Sequence, residues 1–134
     1  MDIFSSTSIP LVEQVVNFSQ ARHGVLAGNI ANLDTPGYHV RDLSQQMFQT
    51  KLKEALNDRD RTGGSFSPGN PREMGHDPLQ GLGKSNEFLH HDDTNASLEG
   101  QVSEIAKNEM QHNVALSILI SQFRMLQTAI SERA

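Results

Sequence analysis

Two stretches of this sequence hold residue types that could do chemistry. Gly81-Leu82-Gly83-Lys84-Ser85 resembles the close of a phosphate-binding loop, where backbone N–H groups cradle phosphate oxygens and a lysine neutralises them. That loop needs a glycine five positions before its second glycine, and Pro78 stands there. It also needs a strand ahead of it, and no strand pattern precedes this one. The second stretch is His90-His91-Asp92-Asp93, with His76 and Asp77 upstream. These are zinc and hard-cation ligand types. Adjacent residues project in different directions, however, and the flanking loop offers no rigid support for a ligand set. A solvated polar loop is the reading taken. No serine, histidine and carboxylate have a common scaffold, so no catalytic residue, cofactor or metal ligand is expected.

Composition narrows the function classes further. The chain has 134 residues, 36% of them apolar, with one Tyr and no Trp. One domain at most is expected, elongated or helical rather than built on a large core. The formal net charge of −5 gives no electrostatic case for nucleic acid or an anionic membrane. Cysteine is absent, which excludes disulfides and thiol chemistry. No uninterrupted apolar run approaches the roughly 18 residues of a membrane span. The start, Met1-Asp2-Ile3-Phe4, has no basic segment or apolar core of a secretory signal.

The elements follow from periodicity. Residues 1–8 are small and polar and are expected to be mobile. Pro10 suits a first helical turn. Leu11, Val12, Val15, Val16, Phe18, Val25, Leu26, Ile30 and Leu33 mark a helix of about 23 residues, roughly 35 Å long. Ser19, Arg22 and His23 interrupt its stripe with a polar waist. Thr35 precedes proline and is pushed out of the α region, so the helix stops there or earlier. Pro36-Gly37 fits the centre of a type II turn, with glycine supplying positive φ. Asn29, Asn32 and Asp34 are placed to hydrogen-bond the last helical carbonyls or the turn. Asp42-Leu43-Ser44-Gln45 has the form of a capping box, opening a short second helix that ends near Asn57 and Asp58.

Residues 58–95 hold Pro68, Pro71, Pro78 and six of the ten glycines, and no periodicity persists there. This middle is expected to be flexible and largely irregular. From about Ala96, Leu98, Val102, Ile105, Glu109, His112, Leu116, Leu119, Phe123, Leu126 and Ile130 follow alternating spacings of four and three, a coiled-coil seam. Leu116, Leu119, Phe123 and Leu126 are the expected intramolecular contacts. Arg22 or His23 could face Glu109 across an antiparallel pair. A second stripe, Met110, Val114, Ile118 and Met125, either covers the second helix or faces other molecules. The expectation taken is a subunit interface, because methionine tolerates varied contacts.

The turn residues carry a resemblance. Asn29-Ile30-Ala31-Asn32, then Asp34-Thr35-Pro36-Gly37-Tyr38, then Arg41-Asp42, is similar to the N-terminal signature of flagellar basal-body rod proteins. The C-terminal stretch resembles theirs too, with Asp93-Thr94-Asn95, Glu109-Met110 and the closing run from Phe123 to Ile130. Thr94 replaces the usual glycine, and Ala96-Ser97-Leu98 departs from the usual segment, so the start of that helix stays open. The resemblance implies a structural subunit of the proximal rod that transmits torque from the membrane ring to the distal rod and hook. Implied partners are copies of itself, other rod subunits, the rod-base adaptor, the membrane ring and the export gate. Nucleic acid, small-molecule substrates and a membrane span are not among them. Implied location is the basal body, reached by the flagellar type III export system and assembled in the periplasm. Another short axial subunit, a small metal-dependent enzyme and a coiled-coil adaptor are the rival readings.

The expected fold is all-α. N- and C-terminal helices pair as an elongated antiparallel coiled coil, with a short extra helix and a flexible middle. It is one domain, divided into residues 1–8, 9–57, 58–95 and 96–134.

Overall fold

The computed structural model describes residues 8–61, 89–91 and 97–132. Helix α1 spans Ile9–Ala31, strand β1 Arg41–Leu43, helix α2 Gln45–Arg61, strand β2 Leu89–His91 and helix α3 Leu98–Ser131. The N- and C-terminal helices pack against each other over a long contact. They run antiparallel: Asn29 near the end of α1 meets Gln101 near the start of α3, and Ser19 meets Asn108.

Local chemistry sets the ends of each helix. Pro10 lies in the first turn of α1, where its missing N–H costs nothing. Asn32 closes α1, its backbone N–H bonding back to the Gly28 and Asn29 carbonyls at 3.2 Å. Its Nδ2 donates to the Gly28 carbonyl at 2.8 Å, so one asparagine satisfies orphan acceptors twice. Helix α3 starts from Ser97, whose Oγ accepts from the Gly100 N–H at 3.1 Å. Helix α2 is capped by Ser44, which receives the Met47 N–H on Oγ at 3.3 Å and the Phe48 N–H on its carbonyl at 3.1 Å. Asp42 is therefore not the cap. It sits in β1, and its carboxylate is committed elsewhere. Helix α2 also runs past Asn57 and Asp58 to Arg61.

Strands β1 and β2 are the departure from a purely helical expectation. They pair antiparallel, with Arg41 opposite His91, Asp42 opposite His90 and Leu43 opposite Leu89. Three residues are too few for an alternating pattern to register in a sequence. Residues 1–7 of the expected mobile stretch 1–8, residues 62–88 and 92–95 of the expected flexible middle 58–95, and Ala96 lie outside the described residues.

A small apolar core docks α2 on α1. Phe18 and Phe48 stack with ring centroids 4.1 Å apart and planes 9° from parallel. Leu43 is buried with them, and Val15, Ala21, Val25 and Leu52 pack around. Each fully buried side chain of this size contributes about 1.5–3 kcal/mol.

The α1–α3 seam differs from the one expected. On α3 the buried residues are Gln101, Asn108 and Ala115, each seven apart, with Gln122 half-buried one heptad on. Ile105, His112, Leu119 and Leu126 complete the heptad and are half-buried. Val102 and Phe123 are about half exposed instead, and Glu109 is exposed. Of the expected intramolecular contacts, Leu116, Leu119 and Leu126 are half-buried, while Phe123 at 48% exposure is not in the seam. The helix is turned by about half a residue step, so polar and small residues occupy the positions the apolar rule assigns to leucine-type residues. They are tolerated because hydrogen bonds meet them.

The apolar residues left over cover much of α3. By length and composition alone this helix is long and apolar enough to cross a membrane. A count of uninterrupted apolar residues misses this, because Ser117, Ser121, Gln122, Arg124 and Gln127 are scattered through the stretch.

Candidate functional site

Between the end of α1, the turn after it, β1 and the start of α3 lies a dense polar junction. Its centre is Asn29, 0% exposed. Oδ1 accepts from the Arg41 N–H at 3.1 Å and from the Tyr38 hydroxyl at 2.9 Å. Nδ2 donates to the Arg41 carbonyl at 2.5 Å and to Gln101 Oε1 at 2.9 Å. All four bonding positions of the amide are filled. One side chain thus ties α1 to the turn, to β1 and to α3.

The turn that makes this possible is tight. The Tyr38 N–H donates to the Thr35 carbonyl at 3.2 Å, enclosing Pro36 and Gly37. Gly37 has φ +76°, the one positive φ among the described residues. A type II turn asks this of its third residue, and only glycine meets it without steric cost. Thr35 N–H bonds the Asn32 carbonyl at 2.9 Å, joining the turn to the helix end. Asp34, Thr35, Pro36 and Gly37 are themselves exposed, and Tyr38 is half-buried on Asn29.

Two helical turns before Asn29, Arg22 is buried at 3% exposure. Its Nε and Nη2 grip Asp42 at 2.8 and 2.7 Å, and Nη2 reaches Glu104 at 2.8 Å. Lys107 supports Glu104 from the next turn at 2.8 Å. Burial works against the guanidinium charge, but the hydrogen bonds and charges of Asp42 and Glu104 outweigh it and raise its pKa above the ordinary value. Lys107, then Arg22, hold the Glu104 carboxyl below the usual carboxylate range. The acid that meets Arg22 on α3 is therefore Glu104. Expecting Glu109 placed it one and a half turns too far along, since the offset between helices is not written in either helix alone.

His23 points to the other side, onto an open groove of about 390 Å³ between the two helices. Val16 and Gln20 line it from α1, and Asn108, Glu109 and His112 line it from α3. Asn108 donates from Nδ2 to the Ser19 carbonyl at 2.7 Å. Asn108 Oδ1 and His112 Nδ1 are buried without a partner among the described residues. Among those residues, no group of three histidine and carboxylate side chains is placed to hold a metal.

The second stripe of α3 lies in the open. Met110 is 70% exposed, Val114 55%, Ile118 44% and Met125 57%. Gln45 of α2 donates to Gln111 of α3 at 2.7 Å. His90 and His91 are strand residues paired with Asp42 and Arg41. His76, Asp77, Asp92, Asp93 and the Gly81–Ser85 stretch lie outside the described residues. Sequence reading missed Gln101, Asn108 and Glu104. The heptad repeat of Gln101, Asn108 and Ala115 was the available signal.

The described residues thus form a helical pair fastened by a polar junction, with an apolar outer surface on α3. The chain is 31% identical over 136 residues to the flagellar basal body rod protein FlgB of Aquifex aeolicus, covering all of this chain and 99% of that one. It is 28% identical to the FlgB proteins of Escherichia coli over 126 residues and of Salmonella typhimurium over 127, covering 88% of the chain in each case. No protein-family profile matches, and no solved structure matches. The chain belongs to the FlgB family of flagellar basal body rod proteins.

Proposed function

We propose that this protein is a structural subunit of the flagellar basal-body rod and catalyses no reaction. One observation carries the reading beyond family membership: Met110, Val114, Ile118 and Met125 leave a continuous apolar stripe uncovered on a helix already paired with α1. Exposed apolar surface of this extent marks a contact with other molecules. The stripe packs on neighbouring subunits, both copies of this chain and other rod proteins. In the finer reading the position is the proximal rod, between the membrane ring with its rod-base adaptor and export gate and the distal rod, where it transmits torque. The subunit travels through the type III export channel and assembles in the periplasm. A hairpin closed by hydrogen bonds, with little apolar core, suits that route. It separates at modest cost and is stabilised by binding its neighbours.

The test compares variants of the outer stripe and the seam in a strain lacking the chromosomal copy. Wild-type protein restores motility and is found in purified basal bodies. Val114→Asp and Ile118→Asp keep the circular dichroism of the free protein but fail to enter basal bodies, because each would bury an unpaired carboxylate at a contact. Leu119→Asp loses helix as well. If the outer variants unfold the free protein as badly as Leu119→Asp, the stripe belongs to the fold and the assembly role assigned to it is wrong.

A further inference from the structure

The open groove between α1 and α3 has apolar walls that include Val16 and Leu116. Some of its polar groups are spent inside the chain. The Ser19 hydroxyl donates to the Val15 carbonyl at 2.8 Å, and Asn108 Nδ2 donates to the Ser19 carbonyl at 2.7 Å. Glu109 is not spent. It is exposed, and no ion pair or hydrogen bond engages it among the described residues. No lysine or arginine among those residues lines the groove. The groove therefore presents a carboxylate with no cation beside it.

His112 adds a second acceptor. It follows Asn108 by four residues and Glu109 by three, so it neighbours both on the surface of α3. Asn108 is 1% exposed, and its Oδ1 and His112 Nδ1 are buried with no partner among the described residues. The bond to Ser19 orients the Asn108 amide, so its buried oxygen stays an acceptor. A neutral imidazole carries its proton on one nitrogen only. A lone pair on Nδ1 would add a second buried acceptor beside that oxygen, whereas a proton there offsets it. The ring is thereby set as the Nδ1–H tautomer, and Nε2 keeps the lone pair. Nε2 has no hydrogen bond and is not among the buried unpartnered atoms, so it is open to solvent on a residue that lines the groove.

We propose that the groove seats a lysine side chain of a neighbouring subunit, its ammonium held by the Glu109 carboxylate and His112 Nε2. Asn108 is the positioning residue that fixes the histidine tautomer. Charge and shape choose the occupant. The acceptors are one carboxylate and one ring nitrogen. A planar guanidinium fork matches the two oxygens of a single carboxylate, whereas a compact ammonium turns its three donors to acceptors of different kinds. The four-carbon stem of lysine is apolar and covers Val16 and Leu116. This rests on the rod-subunit reading and names one contact within it.

The experiment uses basal bodies purified from a strain that carries the full chain. A water-soluble carbodiimide joins a carboxylate to a lysine amine in contact with it as an amide, and mass spectrometry of the digest names both residues. A link from Glu109 to a lysine of another subunit is expected, and it is lost in Glu109→Gln. Dilute free protein treated in the same way gives no link at Glu109. Changing the linked lysine to glutamate stops incorporation, and Glu109→Lys in the same strain restores it. Nitrogen-15 spectra of the free protein with a neutral ring show His112 protonated on Nδ1, and Asn108→Leu moves the proton toward Nε2. A Glu109 link in the free protein means that a lysine of the same molecule fills the seat, and this overturns the proposal. So does a wild-type His112 protonated on Nε2. Wild-type protein present in basal bodies without the link defeats the lysine seat alone, whereas its absence from them defeats the rod assignment.

Discussion

The side-chain amide of Asn29 stands to Arg41 as a neighbouring β-strand would, giving a hydrogen bond to its carbonyl at 2.5 Å and accepting one from its N–H at 3.1 Å. Strand β1 is paired with β2 on one edge and with this single amide on the other. A three-residue strand is thereby anchored to a helix without any backbone ladder between them. Tyr38 and Gln101 bind the same amide, so the turn and α3 share the anchor.

Replacing Asn29 tests that anchor. Asn29→Ala leaves buried groups of Arg41 and Gln101 without this partner and is expected to cost at least about 2 kcal/mol. Asn29→Asp keeps both acceptor contacts but loses both donor contacts, and falls close to the alanine variant. Tyr38→Phe removes one hydrogen bond and costs about 1 kcal/mol. Urea unfolding midpoints of the three proteins check the order. Equal midpoints for Asn29→Ala and Tyr38→Phe would show that the amide is not the centre of the junction.

The Arg22 cluster predicts an acid limb. The folded pKa of Glu104 is lowered, so its contribution to stability is fully present above the ordinary carboxylate value and is lost as pH falls through the folded one. Unfolding midpoints measured from pH 7 to pH 3 should fall, and Glu104→Gln should make that fall shallower. Arg22→Met is the severe change, at about 3 kcal/mol, because it leaves two carboxylates facing an apolar stub. An unchanged acid limb in Glu104→Gln counts against the assignment.

Gly37 isolates a backbone effect. No atom lies within 4 Å of where a Cβ would stand, so a larger side chain meets no clash there. Gly37→Val still costs about 1–2 kcal/mol, because a β-branched residue resists φ +76°. Motility is expected to be impaired with the protein still made. A Gly37→Asn variant, which tolerates positive φ better, should recover part of the loss. Equal behaviour of the valine and asparagine variants would deny the role of φ.

Asn108 offers the opposite sign. Its Nδ2 meets the Ser19 carbonyl, but its Oδ1 is buried with no partner among the described residues. Asn108→Leu removes that cost and is expected to raise the thermal midpoint while loosening the register of α1 on α3, since a polar residue at a seam position fixes register at the expense of stability. Differential scanning calorimetry and a crystal or solution structure of the variant give the two readouts. A lowered midpoint would mean that the Ser19 bond outweighs the orphaned oxygen.

The helices were legible because periodicity reports them: Val12, Phe18 and Leu26 are buried on α1 much as a helical stripe requires. The turn was legible because Pro36-Gly37 restricts the backbone locally. The rotation of α3 was not. The apolar rule places Val102, Glu109, Leu116 and Phe123 in the seam, and the molecule places Gln101, Asn108, Ala115 and Gln122 there. Buried amides with hydrogen-bond partners look, in a sequence, like surface residues. Asp42 illustrates the same limit. Its spacing to Gln45 suits a cap, yet a buried arginine twenty residues earlier claims its carboxylate and leaves the cap to Ser44. Asn29 was visible as a helix-end residue, but nothing local reveals that its partners include Gln101.

The bonds that hold the hairpin join residues 72, 82 and 89 positions apart in the chain. Nothing in the first 61 residues can find its α3 partner until the last third of the polypeptide is present. Whichever end is delivered first waits for the other, and the wait is long on the timescale of a helix forming. During that interval α1 exposes Arg22 and Asn29 with only Asp42, Arg41 and Tyr38 to meet them. Closure of the hairpin is thereby set by contacts of high sequence separation, and it waits on whichever terminal helix comes second.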